Sequence, residues 1–78
     1  MKIQILGTGC PKCKQLADNV KLAIEETGIN AEIEKITEIN DIIDFGVMMT
    51  PALAVDGKIK FVGKVPSVSE IIAVINIQ

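Results

Sequence analysis

Two cysteines stand with two residues between them, as Cys10-Pro11-Lys12-Cys13. Thiol pairs at this spacing close and reopen a disulfide, hold a soft metal ion, or staple a turn. The surrounding residues favour the first use. Gly7-Thr8-Gly9 precedes the pair as a turn, and Pro11 suits the first position of a helix, where φ is preset and no needed donor is lost. Cys10 at the N-cap would face the free N–H groups of Lys12 and Cys13 and the positive end of the helix dipole. Both stabilise the thiolate, which is the reactive form. Lys12 and Lys14 add positive potential. Cys13 falls one turn inside the helix on the same side, within reach of the first sulfur. The pair is therefore asymmetric, with an exposed attacker and a shielded resolver.

The alternatives have definite costs. A four-residue disulfide loop gains only about 2 kcal/mol in the chain-entropy model, against about 3 for fifteen residues, so a permanent staple does little. Zinc needs four ligands, and the 78-residue chain has two cysteines and no histidine. Two-coordinate Cu(I) needs only these two thiolates, so a soft-metal carrier stays open. Small carriers of that kind usually end on a strand, whereas this chain ends on a helical pattern.

The composition removes most other chemistry. The absence of histidine rules out Ser-His and Cys-His catalysis, and there is no arginine to clamp phosphate or carboxylate. Net charge is −2, and Phe45 and Phe61 are the only aromatic residues, so the cationic and stacking surface that nucleic acid needs is missing. The longest fully apolar run is 71–75, too short to span a membrane. No apolar stretch of signal-peptide length follows Met1-Lys2, which gives a cytoplasmic expectation. An apolar fraction of 49% suffices for one small core.

The elements that must position the cysteines follow from periodicity and punctuation. Residues 2–6 are β-branched and nearly apolar on both faces, as in a central strand, with Gln4 the exception. A helix is expected over 11–27, with Leu16, Ala17, Val20, Ala23 and Ile24 on one face and Gly28 as its stop. Residues 31–36 alternate apolar and charged, as in a half-exposed edge strand. Thr37 is the expected cap of a short helix over 38–45, with Ile39, Ile42 and Ile43 as its buried stripe and Gly46 at its end. Strands over 52–55 and 58–62 flank the hairpin signal Asp56-Gly57. Ser67-Val68-Ser69-Glu70 is a capping-box pattern opening a helix over 68–76. The order is β-α-β-α-β-β-α in a single domain, residues 1–78.

With these elements placed, the chain resembles the thioredoxin fold. It is most similar to that fold's small glutaredoxin-like, stand-alone redox-active disulfide proteins of archaea and anaerobic bacteria. The resemblance covers nearly the whole chain. It rests on Gly7-Thr8-Gly9-Cys10-Pro11-Lys12-Cys13-Lys14, on Met49-Thr50-Pro51-Ala52-Leu53, on the Asp56-Gly57 hairpin and on Gly63. It implies a three-layer α/β/α fold with a four-stranded mixed sheet in the order 2-1-3-4, strand 3 antiparallel. It implies thiol-disulfide exchange with Cys10 as nucleophile and Cys13 as resolving thiol. It makes Pro51 the cis-proline facing them, where the residue alone reads as a trans proline opening a strand. Met49, Thr50 and Gly63 would then meet the substrate, with Lys64 and Val65 on the same rim. Met48 and Met49 otherwise read as gap-filling core.

The resemblance further implies protein disulfides as substrates, a monomeric carrier, and no cofactor or metal beyond the Cys10–Cys13 disulfide. The chain also departs from the family. Gly9 replaces the aromatic residue before the first cysteine, and Gln4 takes the place of a buried aspartate. Gly63-Lys64 and Pro66-Ser67 stand where glutathione-binding members carry Gly-Gly and a following aspartate, and no tyrosine lies between the cysteines. The expected electron donor is accordingly a thioredoxin reductase-type flavoprotein rather than glutathione.

Overall fold

The computed structural model describes residues 1–9 and 11–76. The elements are β1 (Lys2–Leu6), α1 (Pro11–Thr27), β2 (Glu32–Ile36), α2 (Ile39–Asp44), β3 (Ala52–Val55), β4 (Lys58–Val62) and α3 (Val68–Ile75). They form a four-stranded sheet in the order β2-β1-β3-β4. β1 runs parallel to β2 and antiparallel to β3, and β3 runs antiparallel to β4. This is the mixed α/β architecture the sequence implies.

The apolar β1 is central, and the two strands with charged alternation, β2 and β4, take the edges. Central strands are buried on both faces, which is why β1 lacks a polar side. Gln4 is buried there, and its Oε1 accepts a hydrogen bond of 3.1 Å from the Gly57 N–H. The side chain thus fastens the β3–β4 hairpin, whose turn residues Asp56 and Gly57 both have positive φ.

One face of the sheet carries Ile3, Ile5, Leu53 and Val55. They pack against Leu16, Ala17, Val20 and Ala23 of α1 and Ile71 and Ile75 of α3. α3 starts with a complete capping box: the Ser67 hydroxyl accepts from the Glu70 N–H, and the Glu70 carboxylate accepts from the Ser67 N–H. The opposite face is thinner. There Leu6, Ala52 and Ala54 meet Ile42 of α2 and Val47.

α2 departs from expectation twice. Its N-cap is Glu38, which makes no side-chain cap bond, so Thr37 lies outside the helix and caps nothing. Of the expected buried stripe only Ile42 is buried, while Ile39 is 62% and Ile43 59% exposed. The reason is length. A helix of six residues presents barely one side chain to a sheet before it ends, and the rest of its apolar surface faces away.

Candidate active site

β1 ends at Leu6 and α1 begins at Pro11, and the turn between them carries the site. Cys10 lies outside the described residues; in the chain it directly precedes the first residue of α1. Cys13 is the third residue of α1 and is 7% exposed. Its Sγ fills the space a Cβ on Gly7 would need, and its own Cβ would stand 3.3 Å from such an atom. Pro51 Cα is 4.0 Å from the same point. Gly7 therefore brings the Cys13 thiol and Pro51 against one stretch of backbone, and only a residue without a side chain leaves room for both.

The Thr50–Pro51 peptide bond is cis. The Pro51 carbonyl accepts from the Gly63 N–H at 2.9 Å, which holds the end of β4 beside the start of β3. Gly63 has φ +72, and a Cβ there would stand 3.2 Å from Met49 Cε. A side chain at this position would thus be strained by the backbone and crowded by the methionine. Among the described residues no hydrogen bond engages the backbone groups of Thr50. Of the sequence-derived site residues, Cys13, Met49, Thr50, Pro51 and Gly63 thus lie around one turn.

The methionines are not core. Met48 is 95% exposed and Met49 is also open to solvent. Lys64 is turned toward α3, with its ammonium 3.1 Å from Glu70 and 5.2 Å from the centroid of the Phe61 ring. Val65 packs inward against the α1–α3 core. Gln4, on the strand entering the site, is committed to Gly57 and lies on the α2 face of the sheet together with Leu6, Ala52 and Ala54.

Residues beyond the expected set also reach the site. A pocket of about 250 Å³ exposes Cys13 between Gly9 and Lys14 on one side and Lys35 and Thr37 on the other. Lys14 and Lys35 are the two charged residues of its lining, and both are cations. Only the pairing of Ile5 with Lys35 across β1 and β2 brings that lysine to the cysteine, and nothing in the local sequence signals it. Gly7 reads from sequence as a turn residue; its closeness to Cys13 becomes visible only once α1 is docked.

Comparison with known proteins agrees with this arrangement. A family model described as a thioredoxin domain matches residues 1–76. A thioredoxin of Methanocaldococcus jannaschii is 56% identical over 69 residues, which cover 88% of this chain and 79% of that protein. A thioredoxin of Methanothermobacter thermautotrophicus is 51% identical over 71 residues, covering 91% of this chain and 92% of its own. A probable thioredoxin of the same organism is 37% identical over 70 residues, or 86% of this chain and 81% of that one. A match over this much of both chains, with the strand order and the helix-borne cysteine described above, makes the chain a member of the thioredoxin-domain family.

Proposed function

We propose that this protein is a thiol-disulfide oxidoreductase that reduces protein disulfides, with Cys10 as nucleophile and Cys13 as resolving thiol. The Cys10 thiolate attacks one sulfur of the substrate disulfide, forms a mixed disulfide and expels the other substrate sulfur as a thiolate. The Cys13 thiolate then attacks the Cys10 sulfur, releases the second substrate thiolate and closes the Cys10–Cys13 disulfide. Two electrons pass from the protein dithiol to the substrate, and the released thiolates take up protons from solvent. The reaction uses no group beyond the two cysteines.

The observation that carries this reading is the Cys13 thiol packed against Gly7 beside Pro51, one turn into α1. Membership of the thioredoxin-domain family supports it. The backbone groups of Thr50 make no hydrogen bond among the described residues, and a substrate strand adds to them by main-chain hydrogen bonds. A thioredoxin reductase-type flavoprotein is the proposed electron donor, because the residues that glutathione-binding members use are absent from the Gly63–Ser67 region.

The test is a pair of substitutions. Cys10→Ser is expected to abolish turnover. Cys13→Ser is expected to accumulate a covalent adduct with a disulfide-containing protein, seen as added mass that dithiothreitol removes. Normal product release by Cys13→Ser would overturn the two-cysteine mechanism.

A further inference from the structure

The groove beside Thr50 is apolar and has no cover. It has a volume of about 570 Å³ and runs from Thr8 and Thr50, on the loops that flank the redox centre, to Ile39, Ile43 and Met48. Those three apolar side chains are all more than half exposed. Apolar surface left open next to a reactive centre marks a docking site more often than a defect.

The charges around the groove indicate what docks there. Residues 36–57 contain Glu38, Asp41 and Asp44 on or beside α2 and no lysine. Among the described residues the ion pairs join Lys2 to Glu32 and Glu34, and Lys64 to Glu70, so these three carboxylates are not neutralised. Lys12, Lys14 and Lys35 lie across the active-site turn. The reactive face is therefore polarised, basic on the α1 side and acidic along α2, the helix whose apolar residues line the groove. A second copy meeting this patch by two-fold symmetry would set carboxylates against carboxylates, which disfavours self-association as its use.

We propose that the groove receives a segment of the partner protein in which an apolar side chain is flanked by lysine or arginine, next to the disulfide under attack. The inference rests on the oxidoreductase reading and specifies its partner. A strand paired at Thr50 and continuing past Met48 lays its next side chain between Ile39 and Ile43, with its basic neighbours toward Glu38 and Asp44. Apolar burial retains the partner. The opposed charges orient it and speed the encounter.

The experiment uses pre-reduced protein in single turnovers with two synthetic peptide disulfides. Each strand holds one cysteine and one leucine, flanked by lysines in one peptide and by glutamates in the other. Hydroxyethyl disulfide is the uncharged control. The wild-type protein is expected to reduce the lysine peptide about tenfold faster than the glutamate peptide at low salt, and the preference is expected to collapse near 1 M salt, where the screening length is about 3 Å. Glu38→Gln/Asp41→Asn/Asp44→Asn should lower that ratio about tenfold. Ile39→Ser/Ile43→Ser should slow both peptides about fivefold, and both variants should leave the control rate unchanged. A ratio indifferent to neutralisation overturns the proposal. So does an equal loss on the control disulfide, or a concentration-dependent dimer that Ile39→Ser/Ile43→Ser abolishes. Failure of the wild type on all three disulfides instead overturns the oxidoreductase reading, and the docking inference falls with it.

Discussion

On one side of the sheet, helices of seventeen and eight residues lay a continuous apolar layer over Ile3, Ile5, Leu53 and Val55. On the other, a helix of six residues contributes Ile42 alone, over strand positions that are mostly alanine. The thick side carries the buried Cys13 and fixes its depth. The thin side leaves Ile39, Ile43 and Met48 in water beside Thr50. Close packing holds one element in one place, and a shallow cover leaves surface for something else to bury. A carrier that must keep a thiol at fixed reach, yet accept varied partners, needs both within a few ångströms. Here the two meet at the Gly7–Gly9 turn.

Removing side chains is the strongest way to break this comparison. Leu16→Ala, in the middle of the thick layer, is expected to cost about 2–5 kcal/mol in urea-induced unfolding, because Leu16 has no solvent exposure and its cavity is enclosed by two helices and the sheet. Ile39→Ala on the thin side is expected to stay within about 0.5 kcal/mol of wild type. Similar losses for both would mean that α2 is held as firmly as α1, and the contrast would fail.

Gly7→Ala probes the point where the two regions meet. The added methyl overlaps Cys13 Sγ and crowds its Cβ, so either the thiol leaves its rotamer or the first turn of α1 lifts away. Overpacking of this kind costs about 1–3 kcal/mol. Displacing the resolving sulfur should also slow reduction of a small disulfide about tenfold, since exchange needs the sulfurs in line. Thermal melts and single-turnover rates measure the two effects separately. Unchanged rates would show that Cys13 does not depend on Gly7 for its position.

Much of this was legible in the sequence, and the residues show why. Element order, the edge positions of the charged strands, the Asp56-Gly57 turn and the Ser67 capping box are all local patterns. Each is set by chemistry within a few residues, and each stands where expected. The misreadings needed information that no short window holds. The spacing of Ile39, Ile42 and Ile43 gives an amphipathic stripe, but how much of it is buried depends on how far the helix continues over the sheet. Gln4 reads as a departure from the family's buried aspartate, and its partner, a backbone group more than fifty residues away, is not visible in any local window. Lys35 joins the Cys13 pocket through the β1–β2 register alone. Family resemblance supplied the cis bond before Pro51, since the residue itself favours trans.

The smallest expected effect concerns the charge that closes the thick layer at its C-terminal helix. Glu70 accepts a backbone bond from Ser67 at 3.0 Å and pairs with Lys64 at 3.1 Å. The Ser67 backbone bond, then Lys64, hold its carboxyl below the ordinary glutamate value. Because the folded-state value is the depressed one, its stabilising contribution is complete above the ordinary glutamate range and is lost as pH falls through the folded-state value. The melting temperature of the wild type should therefore fall more steeply on acidification below that range than that of Glu70→Gln. Glutamine still caps Ser67 but holds no charge, so the substitution removes the titration and leaves the capping geometry. The two curves should converge at low pH. Parallel curves would show that the helix start is held by packing under Ile71 and not by the carboxylate.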